Sequence, residues 1–393
     1  MNLGVSLWTW PSRSSQQVVK ESLGRPKSLL ERIGRKIVSL DATTLQETAV
    51  RRTGLHEFGD PPVEPACSVL TKSLNEEADL HPVGRALMRI HLLDLLETRL
   101  RLIQAWKLAG SRLTAEPILQ PIFVTGIPRS GSTFLHELLA ADPGNRAPQV
   151  WEVMSPVPSH RLDENDCERR IRAVDFQLWW FRRLAPEADA VYPVRATTPH
   201  ECVAIHSYTL MSQEFLGTCT IPGYRAFLDT TDLRSVYTWE RRFLQYLQLG
   251  CVNRRWVLKA PDQLDGLDAL FAVFPDALVL QIHCNREAVL GSIVRLSKVL
   301  NGLFGRVDDY GTLVSKESRA LADNVERTTT FRASHPELET RFVDIEYDEL
   351  MANPLAVVAN IYYEFGAELT AAAAQQMHQL ASRRSRYPER SSL

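Results

Sequence analysis

Two hydrophobic rhythms divide the chain. In "HPVGRALMRIHLLDLLETRLRLIQAWKLAG" (81–110), Leu87, Ile90, Leu93, Leu96, Leu100 and Ile103 recur every three or four residues. That spacing lines one face of an α-helix, and Gly110 supplies a stop. From about residue 118 the rhythm changes to short apolar runs: "PIFVTG" (121–126), "RWVLKAP" (255–261), "ALVLQIH" (277–283) and "RFVDIEYDEL" (341–350). Near-continuous apolar strands separated by helical stretches predict a parallel sheet covered on both faces, an α/β core. The expected organisation is a mainly helical N-terminal extension over 1–115, packed on an α/β domain over 116–393. Within that domain, 151–250 is rich in Trp, Tyr and His and poor in strands, an insertion of the kind that walls a substrate pocket.

Composition narrows the class without naming a chemistry. The chain has 393 residues, 45% of them hydrophobic and 23% charged, as in an ordinary enzyme with a large core. A formal net charge of -2 gives no general basic field for nucleic acid. No apolar stretch is long enough to span a bilayer. The N-terminal "MNLGVSLWTWPSRSS" lacks a basic leader region and a cleavage pattern, so a cytoplasmic location is expected. The six cysteines are scattered with no CxxC pair, which reads as structural thiols and no metal site.

The segment "VTGIPRSGSTFLHELL" (124–139) carries the most specific signal. An apolar strand leads into a glycine-bounded turn, Gly126 to Gly131, and then into a helix, the setting of a phosphate-binding loop. Backbone amides from Arg129 to Thr133, with the helix dipole behind them, would converge on an anion. Ser132 stands where an ATP-binding loop has its lysine, so a 5′-phosphate suits the cradle better than a γ-phosphate with magnesium.

This loop resembles the 5′-phosphosulfate loop of the sulfotransferase superfamily, whose donor is 3′-phosphoadenosine 5′-phosphosulfate. The resemblance is closest to a bacterial branch with a helical N-terminal extension. It continues through "AADPGNRAPQVWEV" (140–153), "WVLKAPDQLDGLDALFAVFPDALVLQIH" (256–283) and "FVDIEYDELMANPLAVVANIYYEFG" (342–366). The resemblance implies a P-loop-type sheet and a sulfuryl transfer that needs no metal. It implies that Arg129, Ser130, Gly131, Ser132, Thr133 and Phe134 form the 5′-phosphosulfate loop, with Arg129 neutralising charge on the bridging oxygen. Lys259, matching the lysine of the family's "LKxP" segment, would stand at the transferring group, where fixed positive charge meets developing negative charge.

Two positions depart from the family pattern. The family's 3′-phosphate site pairs an arginine with a later serine; here Ser292 aligns, but the arginine position holds Cys284, and Arg286 follows two residues later. One lost charge-assisted contact costs about 1.5–3 kcal/mol. The C-terminal "SRRSRYPERSSL" resembles the family's basic tail, making Arg383, Arg384 and Arg386 alternative cations. The family's histidine in "LKxPxH" is replaced by Gln263, so another base must take the acceptor's proton. In "TTPHECVAIH" (197–206), similar to the family's "PEE" segment, either His200 or Glu201 is a candidate; packing on a helix also accounts for His200 and His206.

The expected function is sulfuryl transfer to the hydroxyl of a small, apolar acceptor such as a lipid or natural product. Aromatics in "FQLWWF" (176–181) and "YPVRATT" (192–198) would line its pocket, although core packing explains them equally. Cys284 and Gln263 leave two alternatives: an enzyme with another donor or another reaction, such as elimination after sulfonation, and a non-catalytic nucleotide-binding protein.

Overall fold

The structure, a computed structural model, describes residues 38–158, 165–191, 193–252, 254–259 and 266–384. Its centre is a five-stranded sheet of β1 (Ile122–Gly126), β2 (Asn145–Arg146), β3 (Arg255–Lys259), β4 (Leu278–His283) and β5 (Phe342–Glu346). The order is β2-β3-β1-β4-β5, and every pairing is parallel. Alternation along the strands assigns their side chains to two layers. Phe123, Leu258 and Val279 face one core, while Ile122, Val124, Val257, Leu278 and Leu280 face the other. The four apolar runs of the sequence are β1, β3, β4 and β5, and the α/β core is as expected. The two-residue β2 has no run long enough to announce it.

The first core extends beyond the sheet into the N-terminal helices Ala42–Thr53, Val63–Glu76 and Pro82–Ala109. The long helix begins on a His81 cap with Pro82 in its first turn and stops at Gly110, which has φ +57°. Its buried face is the one the sequence predicts from Leu93 onward and departs from it in the first turns. Leu93, Leu96, Leu100 and Ile103 are buried, but Ile90 is 36% exposed and Met88 takes the inner position. At Gly84 the helix comes so close to the carbonyl of Phe304 that a Cβ there would lie 1.7 Å from the oxygen.

Arg99 ties this layer to the rest. Fully buried, it donates to the carbonyls of Phe58 at 2.7 Å and Tyr208 at 2.8 Å, and its guanidinium lies 4.5 Å over the Trp239 ring. Most of the described residues between β2 and β3 form helices, as the scarcity of strand patterns in 151–250 predicts. On the second face the helix Ser132–Ala140 is covered by the C-terminal helices Pro354–Glu364 and Ala371–Arg384.

Candidate active site

The turn after β1 is built by backbone that only certain residues tolerate. Gly126 has φ +138°, and a Cβ there would sit 2.7 Å from the Ile282 carbonyl of β4. Gly131, at φ +87°, ends the turn, and the helix Ser132–Ala140 starts with no side-chain cap. Helix geometry leaves its first two amides, those of Ser132 and Thr133, without an acceptor in the helix, whereas those of Phe134 and Leu135 donate to the Gly131 carbonyl. The Ser130 hydroxyl is fully buried beside them and has no hydrogen-bond partner among the described residues. A buried, unsatisfied donor next to orphan amides is the chemistry of an anion cradle.

Arg129 lies in the left-handed region at φ +69°, unfavourable for a side chain with a Cβ. Its Nε donates to Ser292 Oγ at 3.0 Å, across to the helix Arg286–Phe304 that follows β4. The loop and the segment expected to hold a 3′-phosphate thus meet through one guanidinium.

Lys259 ends β3, directly beside β1 in the sheet, and is buried. Its ammonium donates to Thr133 Oγ1 at 2.9 Å and to Glu201 Oε1 at 2.5 Å. Glu201 is brought there by a separate device. The sequence Gln149-x-x-Glu152 forms a capping box that starts the helix Val150–Met154. That segment pairs with residues 196–200: Val150 N–H donates to the Thr198 carbonyl at 3.0 Å and His200 N–H to the Pro148 carbonyl at 2.7 Å. Glu201 then stands at the N-terminal boundary of the short helix Cys202–His206, its carboxylate making no cap bond and reaching Lys259 instead.

His200 adjoins this pair. Burial lowers its pKa below the ordinary imidazole value, against the opposing pull of Glu201 and Glu214. His136, not singled out in the sequence, lies under the same lysine. Its Nε2–H donates to the Val257 carbonyl at 3.0 Å, and burial, reinforced by Lys259, pushes its pKa down to about 4. Its position inside the apolar helix "STFLHELLA" was the available signal.

The remaining expected residues are less central. The Phe134 ring is buried in the core, and its amide donates to the Gly131 carbonyl at 2.9 Å. Cys284 packs beside Ile127, Val289 and Ile293, filling an apolar gap against the loop. Arg286 is exposed on the first turn of its helix. Arg383 and Arg384 belong to the last turn of the helix Ala371–Arg384, where Arg383 is exposed. Gln263 and Arg386 lie outside the described residues.

A cavity of about 380 Å³ opens beside the helix Cys202–His206, its wall part apolar, from Val203, Leu228 and Ala269, and part charged, from Asp232, Arg234 and Arg327. No residue of "FQLWWF" lines it, and Phe176, Trp179 and Phe181 are 52%, 40% and 41% exposed. At the cavity wall His206 bonds the fully buried Glu240 at 2.9 Å. Among the described residues, no group of His, Cys, Asp and Glu is arranged to hold a metal ion, and no helix is long and apolar enough to cross a membrane.

A parallel sheet with a glycine-bounded strand-turn-helix loop at the end of β1 and a buried lysine on the adjacent strand has the architecture of a phosphate-loop α/β protein. The family follows from comparison: residues 121–371 match the model of the Sulfotransferase family, well over half the chain, and the chain belongs to that family. Over 86% of its length it superposes on sulfotransferase STF1 of Mycobacterium tuberculosis, with TM-score 0.78, 30% identity and 92% of that chain covered. Sulfotransferase STF9 of Mycobacterium avium shares the fold at TM-score 0.75 and 23% identity, covering 89% of both chains. The omega-hydroxy-beta-dihydromenaquinone-9 sulfotransferase Stf3 of Mycobacterium bovis is 25% identical over 298 residues, which span 66% of this chain and 66% of that protein, just under two thirds of each.

Proposed function

We propose that the protein transfers a sulfuryl group from 3′-phosphoadenosine 5′-phosphosulfate to the hydroxyl of a small lipophilic acceptor. The observation that carries this reading is Lys259, whose buried ammonium bridges the loop residue Thr133 and the carboxylate of Glu201. When bound, the donor supplies an activated sulfuryl group with a phosphate as its leaving group. The amides of Ser132 and Thr133 at the helix start and the Ser130 hydroxyl, which has no partner among the described residues, fit the oxygens of a 5′-phosphate. Lys259 and Arg129 stabilise the charge that grows on the bridging oxygen as the bond to sulfur breaks. Glu201, within reach of Lys259, takes the proton of the attacking hydroxyl.

The depressed pKa of His200 supports a second assignment of the base, a neutral imidazole beside the same centre. The lipophilic acceptor is supported by the name of the Stf3 relative, a sulfotransferase for an omega-hydroxylated menaquinone. The apolar side of the cavity, formed by Val203, Leu228 and Ala269, is a candidate place for its apolar body. Cys284 supports a different donor, one without a 3′-phosphate, as the second reading of the nucleotide site.

The test is formation of 3′-phosphoadenosine 5′-phosphate when the protein is given the phosphosulfate donor and a panel of long-chain and polyprenyl alcohols. Turnover should fall about 10²–10³-fold in Lys259→Met, as when an oxyanion donor is removed. Unchanged turnover in both Lys259→Met and Arg129→Ala would defeat the proposed mechanism.

A further inference from the structure

The helix Asp166–Leu184 carries a surface that the transfer reaction leaves unexplained. Its inner face is ordinary: Val174 and Leu178 are buried, and Arg170 lies over the Trp151 ring at 4.7 Å and donates to the Ser155 carbonyl at 2.7 Å. Its outer face presents Arg172, Phe176, Trp179 and Arg183 at spacings of three and four, one line along the helix. All four are exposed. Phe176 and Trp179 stack with centroids 6.2 Å apart, Trp180 meets Trp179 edge-on at 4.9 Å, and Arg183 lies 5.0 Å from the Trp179 centroid. Exposed Phe181 widens the aromatic area.

Clustered exposed aromatics of this size mark an interaction site more often than free surface. Aromatic rings bracketed by arginines suit the boundary between lipid tails and anionic headgroups. The helix is net positive on a chain of net charge -2, its acids being Asp166, Glu168 and Asp175. Asp166 is buried against Arg170, and Glu168 pairs with Arg172 at the far end of the stripe. A second copy of the chain is a poorer occupant, because a two-fold contact centred on Trp179 brings the flanking arginines toward arginines.

The position of the helix gives the surface a purpose. It packs on Val150–Met154, the segment whose backbone bonds hold residues 196–200 and therefore the His200–Glu201 wall of the site. We propose that the Arg172–Phe176–Trp179–Arg183 stripe seats the protein on an anionic lipid surface, which presents a membrane-dissolved hydroxyl to Glu201. The benefit to catalysis rests on the lipophilic acceptor proposed above; the binding itself does not.

The experiment is flotation of the full chain with vesicles of phosphatidylcholine, with and without phosphatidylglycerol, in the absence of donor and acceptor. Binding should require phosphatidylglycerol, weaken with added salt and shift tryptophan emission to the blue. Arg172→Gln with Arg183→Gln should weaken it roughly ten- to thirty-fold. Phe176→Ser with Trp179→Ser should abolish it while leaving the thermal midpoint near that of the wild type; Trp179→Glu alone serves if the double variant is poorly folded. Absence of vesicle binding, binding that survives the aromatic substitutions, or a dimer in sedimentation that those substitutions dissolve would each overturn the proposal. None of these outcomes depends on sulfuryl transfer, so that reading stands or falls separately.

Discussion

At the scale of single residues, the site is a buried lysine, Lys259, with a partly buried carboxylate and two imidazoles whose pKa values burial lowers. Two candidate bases adjoin it, and they differ in a way that pH resolves. If Glu201 takes the proton, the acidic limb of the kcat/KM profile disappears in Glu201→Gln and persists in His200→Ala; the reverse pattern assigns the proton to His200. His136 makes a separate prediction about stability. Its pKa of about 4 in the fold lies below the ordinary 6.5, so the unfolded chain binds the proton more readily between those values. Stability is therefore full above pH 6.5 and falls as the pH drops toward 4, by roughly 2–4 kcal/mol. Urea unfolding of His136→Gln, which keeps a donor toward Val257, should show a shallower loss over that window.

At the scale of elements, legibility in the sequence followed from how completely each segment is buried. The strands β1, β3 and β4 are apolar runs because both faces of the sheet are covered there, the edge strand β5 alternates with Asp344 and Glu346 exposed, and the loop is legible because Gly126 and Gly131 must take positive φ. Ile90 was assigned to the wrong face because its neighbours Leu92 and Leu93 are both buried, so strict spacing does not define one stripe. The outer aromatics at 176–181 were illegible for a related reason: a helix with arginines on its inner and outer faces has no polar side to mark the solvent. The pairing of Lys259 with Glu201 joins residues 58 positions apart, which only the fold can bring together. Gly84 tests the contact between the long N-terminal helix and the end of the Arg286–Phe304 helix. A Cβ there meets backbone that cannot yield easily, so Gly84→Ala should cost about 1–3 kcal/mol or more in a denaturant titration.

At the scale of the whole molecule, the N-terminal helices and the sheet share one apolar core rather than meeting at a polar seam. Arg99 reinforces this by bonding carbonyls of both the N-terminal loop and Tyr208. A chain shortened to residues 116–393 would uncover Trp239, whose ring lies 4.5 Å from that of Trp106 and under the Arg99 guanidinium. It should therefore be insoluble or lack a cooperative melt, whereas the full chain should unfold in one transition by calorimetry. A soluble, cooperatively folded 116–393 fragment would show that the helices are an appended unit. The central claim is that the loop, Arg129 and Lys259 hold a 3′-phosphorylated sulfonucleotide despite Cys284. Its most direct test is calorimetric binding of 3′-phosphoadenosine 5′-phosphate compared with adenosine 5′-phosphate. The account predicts at least about tenfold tighter binding of the 3′-phosphorylated nucleotide, the worth of one charge-assisted contact, and weaker binding in Lys259→Met. Equal affinity for the two nucleotides, or no binding of either, would contradict it.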